Sequence, residues 1–354
     1  MRAVILGLAA CAAGLALPVP AQSLPARELY VRADKGHCIA CHQLPEGAGP
    51  ATHSDVGPRL AGARMRELGR ERLREVLADP MRANADTVMP PFGRHRILDT
   101  GEIDRLVELL LALPADATAD DSRGQTASDD ERRADAERNS PAPAAAAIVE
   151  TGRKIWVRKF RNGKSLVTCF PNGGRRIAAS YPQYDQRLKR VVTLESAINL
   201  CLKAHNEALL DPVDAQTMGA TLAYVRSLSD GQKIAVRVPV GVAQERLEQG
   251  RRQYYTRMGQ ENFACASCHV QAAGKRFADV VLSPVVGQAT HWPLIRGELA
   301  VTLQARIREC LELMGAAPFA PGSDELNHLE YFLTNASNGL PLRANAWRPV
   351  TSRD

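Results

Sequence analysis

Cys-x-x-Cys-His occurs twice in this chain, as Cys38, Cys41 and His42 in "CIACH" and as Cys265, Cys268 and His269 in "CASCH". The spacing has a mechanical basis. Two thiols three positions apart add across the two vinyl groups of a haem, and the histidine that follows reaches the iron as proximal ligand. A redox or zinc pair accounts for the cysteines but leaves both histidines unexplained. Two covalently bound haem c groups are therefore expected, and the chain has to fold around each of them.

Helical signals surround both motifs. Before the first, Arg27 to Lys35 reads as a helix. After it, "DTGEIDRLVELLLALP" puts Ile103, Leu106, Val107 and Leu110 on one face, offers Asp99 and Glu102 as an N-terminal cap and stops at Pro114. Residues 243–354 repeat the plan with "AQERLEQGRRQYYTRMG", then "CASCH", then "SDELNHLEYFLTN" capped by Ser323. A third copy lies between them. There "TGRKIWVRKF" precedes Cys169 and "DAQTMGATLAYVRSLSDG" closes, without a haem motif at the centre. Repetition at about 100 residues thus organises the chain. The expected fold is mainly α, with tandem class I cytochrome c-like domains at 22–114, 148–240 and 241–354, the middle one lacking haem. Residues 115–147 mix acids, arginine, serine, proline and alanine without an apolar period, as a disordered linker does.

The N-terminus has Arg2, an apolar run, then Val19, Pro20 and Ala21 in the small-residue pattern of a signal peptidase site. An export signal over 1–21 is expected; "LAAC", ending at Cys11, is a weaker lipobox alternative. No other stretch reaches the roughly 18 apolar residues that span a bilayer. Export places the rest in an oxidising compartment, where disulfides form. The formal charge of +6 contains no long basic run, which argues against nucleic acid as a partner.

What fills the sixth position of each iron decides between electron transfer and chemistry. In the first domain "TVMPPFGRHRIL" offers Met89, whose thioether favours reduced iron and raises the potential; a methionine packed in the core is the plain alternative. The Met-Pro-Pro context is that of the distal loop of small monohaem cytochromes c. "VGPRLAG" at 56–62 resembles the loop whose proline braces the proximal histidine, and its counterpart in the last domain is "LSPVVG", with Pro284. The last domain has no methionine in a matching context.

Cysteine arithmetic supplies a candidate there. Of eight cysteines, Cys11 leaves with the signal, four belong to the haem motifs, and Cys169 and Cys201 can pair with each other. Cys310 is left alone, preceded by Arg306 and Arg308. A lone thiol in an oxidising compartment is open to oxidation or cross-linking. As a thiolate it can ligate the second iron. On a helix Arg306, four residues earlier, faces the same side, where a guanidinium favours anionic sulfur and a bound oxyanion. The short stretch alone leaves this reading level with a buried free cysteine beside two solvated arginines.

The segments "CIACHQLPEG", "DVGPRLAG" and "VMPPFGRHRIL", followed by "CFPNGG", "AASYPQYD", "INLCLKAHNE", "CASCH", "RIREC" and "NGLPLRANAWRP", are together far more specific than either haem motif. They resemble SoxAX, the c-type cytochrome complex of bacterial thiosulfate oxidation, with a SoxX-like part first and a SoxA-like part second, over residues 27–113 and 151–349. The resemblance implies that Cys310 is the distal ligand of the second haem, often found as a persulfide, and that Arg306 serves the active site; Arg308 has no such role. Many SoxA proteins carry an extra haem in their first domain with a distal cysteine. Here Cys169 is not followed by the attachment motif and Cys201 stands where the distal cysteine would be. That implies the one-haem type, in which Cys169 and Cys201 form a disulfide and Tyr181 and Pro182 keep a loop that once faced a haem.

The activity so implied is that of a periplasmic L-cysteine S-thiosulfotransferase. It joins thiosulfate oxidatively to a cysteine of the carrier SoxYZ, with a soluble cytochrome c as electron acceptor. Cys310 and Arg306 are the catalytic candidates, and His42, Met89, His269 and Cys310 the iron ligands. Two rivals stand beside it: a thiosulfate dehydrogenase making tetrathionate, and an electron-transfer cytochrome in which Cys310 only tunes a potential.

Overall fold

The computed structural model describes residues 23–115, 143–278 and 280–345. The expected export signal and most of the expected linker lie outside the described residues.

The first module begins with α1 (Ala26–Val31), followed by a 3-10 turn at Cys38–Ala40, α2 (Gly62–Ala78) and α3 (Thr100–Leu111). The expected cap of α3 is present in full: Asp99 accepts from the Glu102 backbone N–H, and Glu102 accepts from that of Asp99. Ile103, Leu106, Val107 and Leu110 are buried together with Leu29, Tyr30, Leu73, Leu77 and Phe92. Helix α2 has no counterpart among the sequence expectations. Its arginines and glutamates obscure a narrow apolar stripe, of which Met65, Leu73 and Leu77 are buried, and Gly69 breaks it with φ of 75°.

The middle module runs through α4 (Pro143–Val157), a single turn α5 (Leu166–Cys169), the hairpin β1 (Gln183–Asp185) with β2 (Arg190–Val192), α6 (Leu194–Ala204) and α7 (Met218–Ser227). Helix α4 starts inside the stretch expected to be linker, because the alanine run that ends that stretch has the highest helix propensity. The last module follows the same order. It has α8 (Val242–Tyr255), a π-helical turn at Ser267–Gln271, the short hairpin β3 (Arg276–Phe277) with β4 (Val280–Val281), the hairpin β5 (Leu294–Arg296) with β6 (Leu299–Val301), α9 (Leu303–Leu313) and α10 (Asp324–Ala336). All three hairpins are antiparallel.

The repeat shows in packing as well as order. Opening helix crosses closing helix at a glycine in both copies: a Cβ on Gly152 would strike the Ala220 carbonyl of α7, and one on Gly250 the His328 carbonyl of α10. Four residues further on, Trp156 and Tyr254 fill the two cores. Thr193 caps α6 and Thr302 caps α9 through the same side-chain bond to the third backbone N–H, at 3.1 Å in each case. Tyr331 and Leu342 of the last module complete the middle module's core, so these two modules share one apolar interior.

The first module docks on the last. Ala278 N–H donates to the Ala40 carbonyl at 2.8 Å, Asp55 N–H to the Arg276 carbonyl at 3.1 Å, and Ser54 Oγ to the Ala278 carbonyl at 3.3 Å. On the other side Arg257 Nη1 donates to the Thr87 carbonyl at 2.7 Å, and His95 Nδ1 to the Gln260 carbonyl at 2.7 Å. The attachment loop (Ala40) and the loop that carries Met89 (Thr87) therefore both abut the last module.

Candidate haem and sulfur site

In the first module Cys38, Cys41 and His42 lie on and after the 3-10 turn. His42 Nδ1 lies 2.7 Å from the Pro58 carbonyl, and since a carbonyl only accepts, the ring carries its proton there and presents Nε2 as a free lone pair. Gly57 lies against the ring with no room for a Cβ. Burial pushes His42 below its ordinary value, which keeps the imidazole neutral, the form that binds iron. Tyr30 Oη donates to the His42 carbonyl at 2.8 Å, holding the residue from behind.

The last module repeats this with one change. His269 Nδ1 donates at 2.7 Å to the carbonyl of Ser283, not of Pro284, so the brace expected of the proline is displaced by one residue. A π-helical turn carries Cys268 and His269 here where the first module has a 3-10 turn, and this different path alters which carbonyl comes within reach. A polar chain continues from the ring: Ser283 Oγ lies 3.4 Å from His269 Nδ1, Gln288 Nε2 lies 3.5 Å from Ser283 Oγ, and Tyr254 Oη donates to Gln288 Oε1 at 3.1 Å. His269 is also held below its ordinary value, by burial first and by the Arg306 guanidinium in addition.

The donor sets fit covalent haem. The four motif thiols are unpaired, and burial lifts Cys38, Cys41 and Cys265 to about 12 and Cys268 to about 11. A redox or zinc pair gives no role to the histidine that follows each pair. Two unpaired thiols beside a histidine whose Nδ1 is tied to a carbonyl and whose Nε2 is free suit thioether attachment and axial ligation. Met89 is partly buried against the first core.

Cys310 lies on α9, partly buried, and is close enough to Cys265 and Cys268 to raise both thiols. Burial raises the Cys310 thiol; Arg306 and Arg296 oppose this, while Glu309 adds to it. Arg306, one turn before Cys310, donates to Glu309 Oε2 at 2.8 Å, and Arg296 Nη1 from the end of β5 reaches both Glu309 oxygens at 3.2 and 3.1 Å. Arg308 points elsewhere and donates to the Phe319 carbonyl. Sequence reading missed Arg296 and Glu309. Glu309 was legible as an i,i+3 partner of Arg306, whereas Arg296 arrives from another element.

In the middle module Cys169 and Cys201 form a disulfide, Cα to Cα 6.0 Å. His205 lies beside it, with the three possible ligand atoms within 4.8 Å of one another, but bonded sulfurs offer no thiolate to a metal. No helix of the described residues is long and apolar enough to cross a membrane.

A model of the protein family described as "SoxA/TsdA, cytochrome c domain" matches residues 151–234 and 249–342. The L-cysteine S-thiosulfotransferase subunit SoxA of Chlorobaculum tepidum is 38% identical over 232 residues, 65% of this chain and 80% of that protein. The SoxA subunit of Allochromatium vinosum is 38% identical over 204 residues, 56% of this chain and 72% of that protein. The crystal structure of SoxXA from P. pantotrophus aligns with a TM-score of 0.54 and 28% identity, over 62% of this chain and 84% of that one. With half of its length matched by the family model, and 38% identity to a SoxA relative of which it covers four-fifths, the chain belongs to the SoxA family of c-type cytochromes.

Proposed function

We propose that the chain is a periplasmic L-cysteine S-thiosulfotransferase that carries a SoxX-like module fused ahead of its SoxA part. The reaction joins thiosulfate to the carrier cysteine of SoxYZ: R–SH and S2O3 2− give R–S–S–SO3 −, one proton and two electrons. One sulfur–sulfur bond forms, and the two electrons leave to a soluble cytochrome c.

Two haem c groups are held in this reading, one by Cys38 and Cys41 with His42 and Met89 as iron ligands, the other by Cys265 and Cys268 with His269 and Cys310. When bound, haem c takes up and releases one electron at a time. The chain's own residues do the rest. Arg306 receives the sulfonate oxygens, for which a planar guanidinium is matched in geometry and charge. Cys310, whose thiol is raised by burial while Arg306 and Arg296 offset part of that rise, faces the sulfane end. Docking of the first module on the last brings the two attachment motifs within electrostatic reach of each other, Cys41 being raised in part by Cys268. The middle module serves as scaffold, its cysteines tied in the disulfide.

The observation that carries the proposal is Cys310 one helical turn from Arg306, beside the second attachment motif. The test is turnover of the haem-loaded full chain with thiosulfate, SoxYZ and cytochrome c, for wild type and Cys310→Met. Loss of carrier conjugation in the variant supports the reading. Full conjugation by the variant removes Cys310 from the chemistry, absence of conjugation by the wild type leaves only an electron carrier, and tetrathionate formation by the wild type without carrier moves the assignment to a thiosulfate dehydrogenase.

A further inference from the structure

We propose that Arg296 is a second substrate-binding guanidinium and that Glu309 is an internal carboxylate holding both arginines in the place an oxyanion takes; this rests on the functional reading above and deepens it. Glu309 Oε2 lies 2.8 Å from Arg306 Nη1 and 3.1 Å from Arg296 Nη1, so one carboxylate bridges two guanidinium groups that come from different elements. The side chains of Arg296, Arg306 and Glu309 keep 38%, 39% and 39% of their surface exposed, so an anion from solvent can reach them. Ion pairs this exposed are weak, so a dianion arriving beside Cys310 displaces the carboxylate without a large penalty.

Charge sets the preference. Two arginines and one glutamate leave the cluster with one net positive charge. With Glu309 turned aside, two forks are free for the three oxygens of a sulfonate, while its sulfane sulfur lies toward Cys310.

The internal repeat supplies a control. Counted from the capping threonines Thr193 and Thr302, Ala197 stands where Arg306 does and Leu200 where Glu309 does; Asp185 ends β1 where Arg296 ends β5. All three charged groups are absent from the copy whose cysteine is locked in a disulfide, although hairpin, cap and helix are kept. The cluster is therefore a feature of the reactive copy and not of the scaffold.

The experiment uses the haem-loaded full chain and its Arg296→Met, Arg296→Lys and Glu309→Gln variants, with equilibrium dialysis of labelled thiosulfate and steady-state turnover with SoxYZ and cytochrome c. Arg296→Met is expected to weaken thiosulfate binding by about tenfold or more and to raise KM by a larger factor than it takes from kcat. Lysine restores charge without the fork and falls between. Glu309→Gln, nearly isosteric, is expected to tighten thiosulfate and sulfate alike, since the competing carboxylate is gone. Unaltered thiosulfate affinity in Arg296→Met, or weaker affinity in Glu309→Gln, overturns the inference. A Cys310→Ser protein that still conjugates thiosulfate overturns the functional reading with it. A dead Cys310→Ser protein beside an Arg296→Met protein of wild-type affinity overturns this inference alone.

Discussion

Cys201 and Cys310 occupy the same place in two copies of one repeat, each eight residues after the threonine that caps its helix. One is bonded to Cys169 and the other is a free thiol beside Arg306. The same helix position thus holds a covalent cross-link in one copy and a free thiol in the other.

The cross-link should matter for stability and not for turnover. It closes a loop of 32 residues, for which the chain-entropy relation gives about 4 kcal/mol. Replacing Cys169 and Cys201 together by serine should lower stability by up to that amount in chemical denaturation. Thiosulfate turnover below the new melting point should stay near wild type; a large loss of kcat would give the disulfide a part in the reaction.

Much of this was open to a reader of the sequence, and the residues show why. The two attachment motifs, the Asp99 and Ser323 caps and the solitary Cys310 are local signals, each confined to a few adjacent positions. The disulfide needed the family resemblance, because cysteine counting permits a pair without requiring it. Arg296 depends on which loops meet in space, and Ser283 took the brace expected of Pro284 through a single-residue shift in register that no spacing rule encodes. Helix α2 was missed because charged side chains on its exposed face outnumber the few apolar ones beneath.

Between the middle and last modules Arg226 is buried with Glu195 and Glu330. Burial raises both carboxyls and lowers the guanidinium, while Arg226 pulls both acids back toward ionisation. Arg226 also donates to the Ala289 carbonyl at 2.9 Å. Arg226→Leu removes the lone cation of this group and leaves two enclosed acids, at a cost of about 3–5 kcal/mol for breaking a buried pair from one side. Adding Glu195→Gln and Glu330→Gln should recover a good part of that loss. Denaturation midpoints of the single and triple variants test it; equal midpoints would show that the arginine does not hold the acids.

Glu261 belongs to the last module and faces Cys38 and Cys41 of the first, adding to the rise of both thiols. Burial lifts its own carboxyl from about 4.5 to about 7. A carboxyl raised on folding binds more protons in the folded state between those two values, so its contribution to stability is present at low pH and is lost as pH rises through that window. Glu261→Gln should therefore melt higher than wild type at pH 8 and about equally at pH 4.5. Parallel melting curves across pH for the two proteins would place the titration elsewhere.

The first module rests on the last. Its contacts are a handful of hydrogen bonds, several from backbone groups that substitution cannot remove, along with the side-chain bonds of Asp55 to the Arg276 N–H and Arg257 to the Thr87 carbonyl. A covalent tether of moderate length supplies an effective concentration on the order of a millimolar, enough to keep a weak pair together. Asp55→Ala with Arg257→Ala should therefore leave the uncut chain docked, with electron transfer to cytochrome c preserved. Once a protease site inserted between residues 116 and 142 is cut, the same double variant should fall apart on dilution, whereas cut wild type should still elute as one species in size-exclusion chromatography. Separation of cut wild type at micromolar concentration would mean that fusion, rather than the docking surface, holds the first and last modules together.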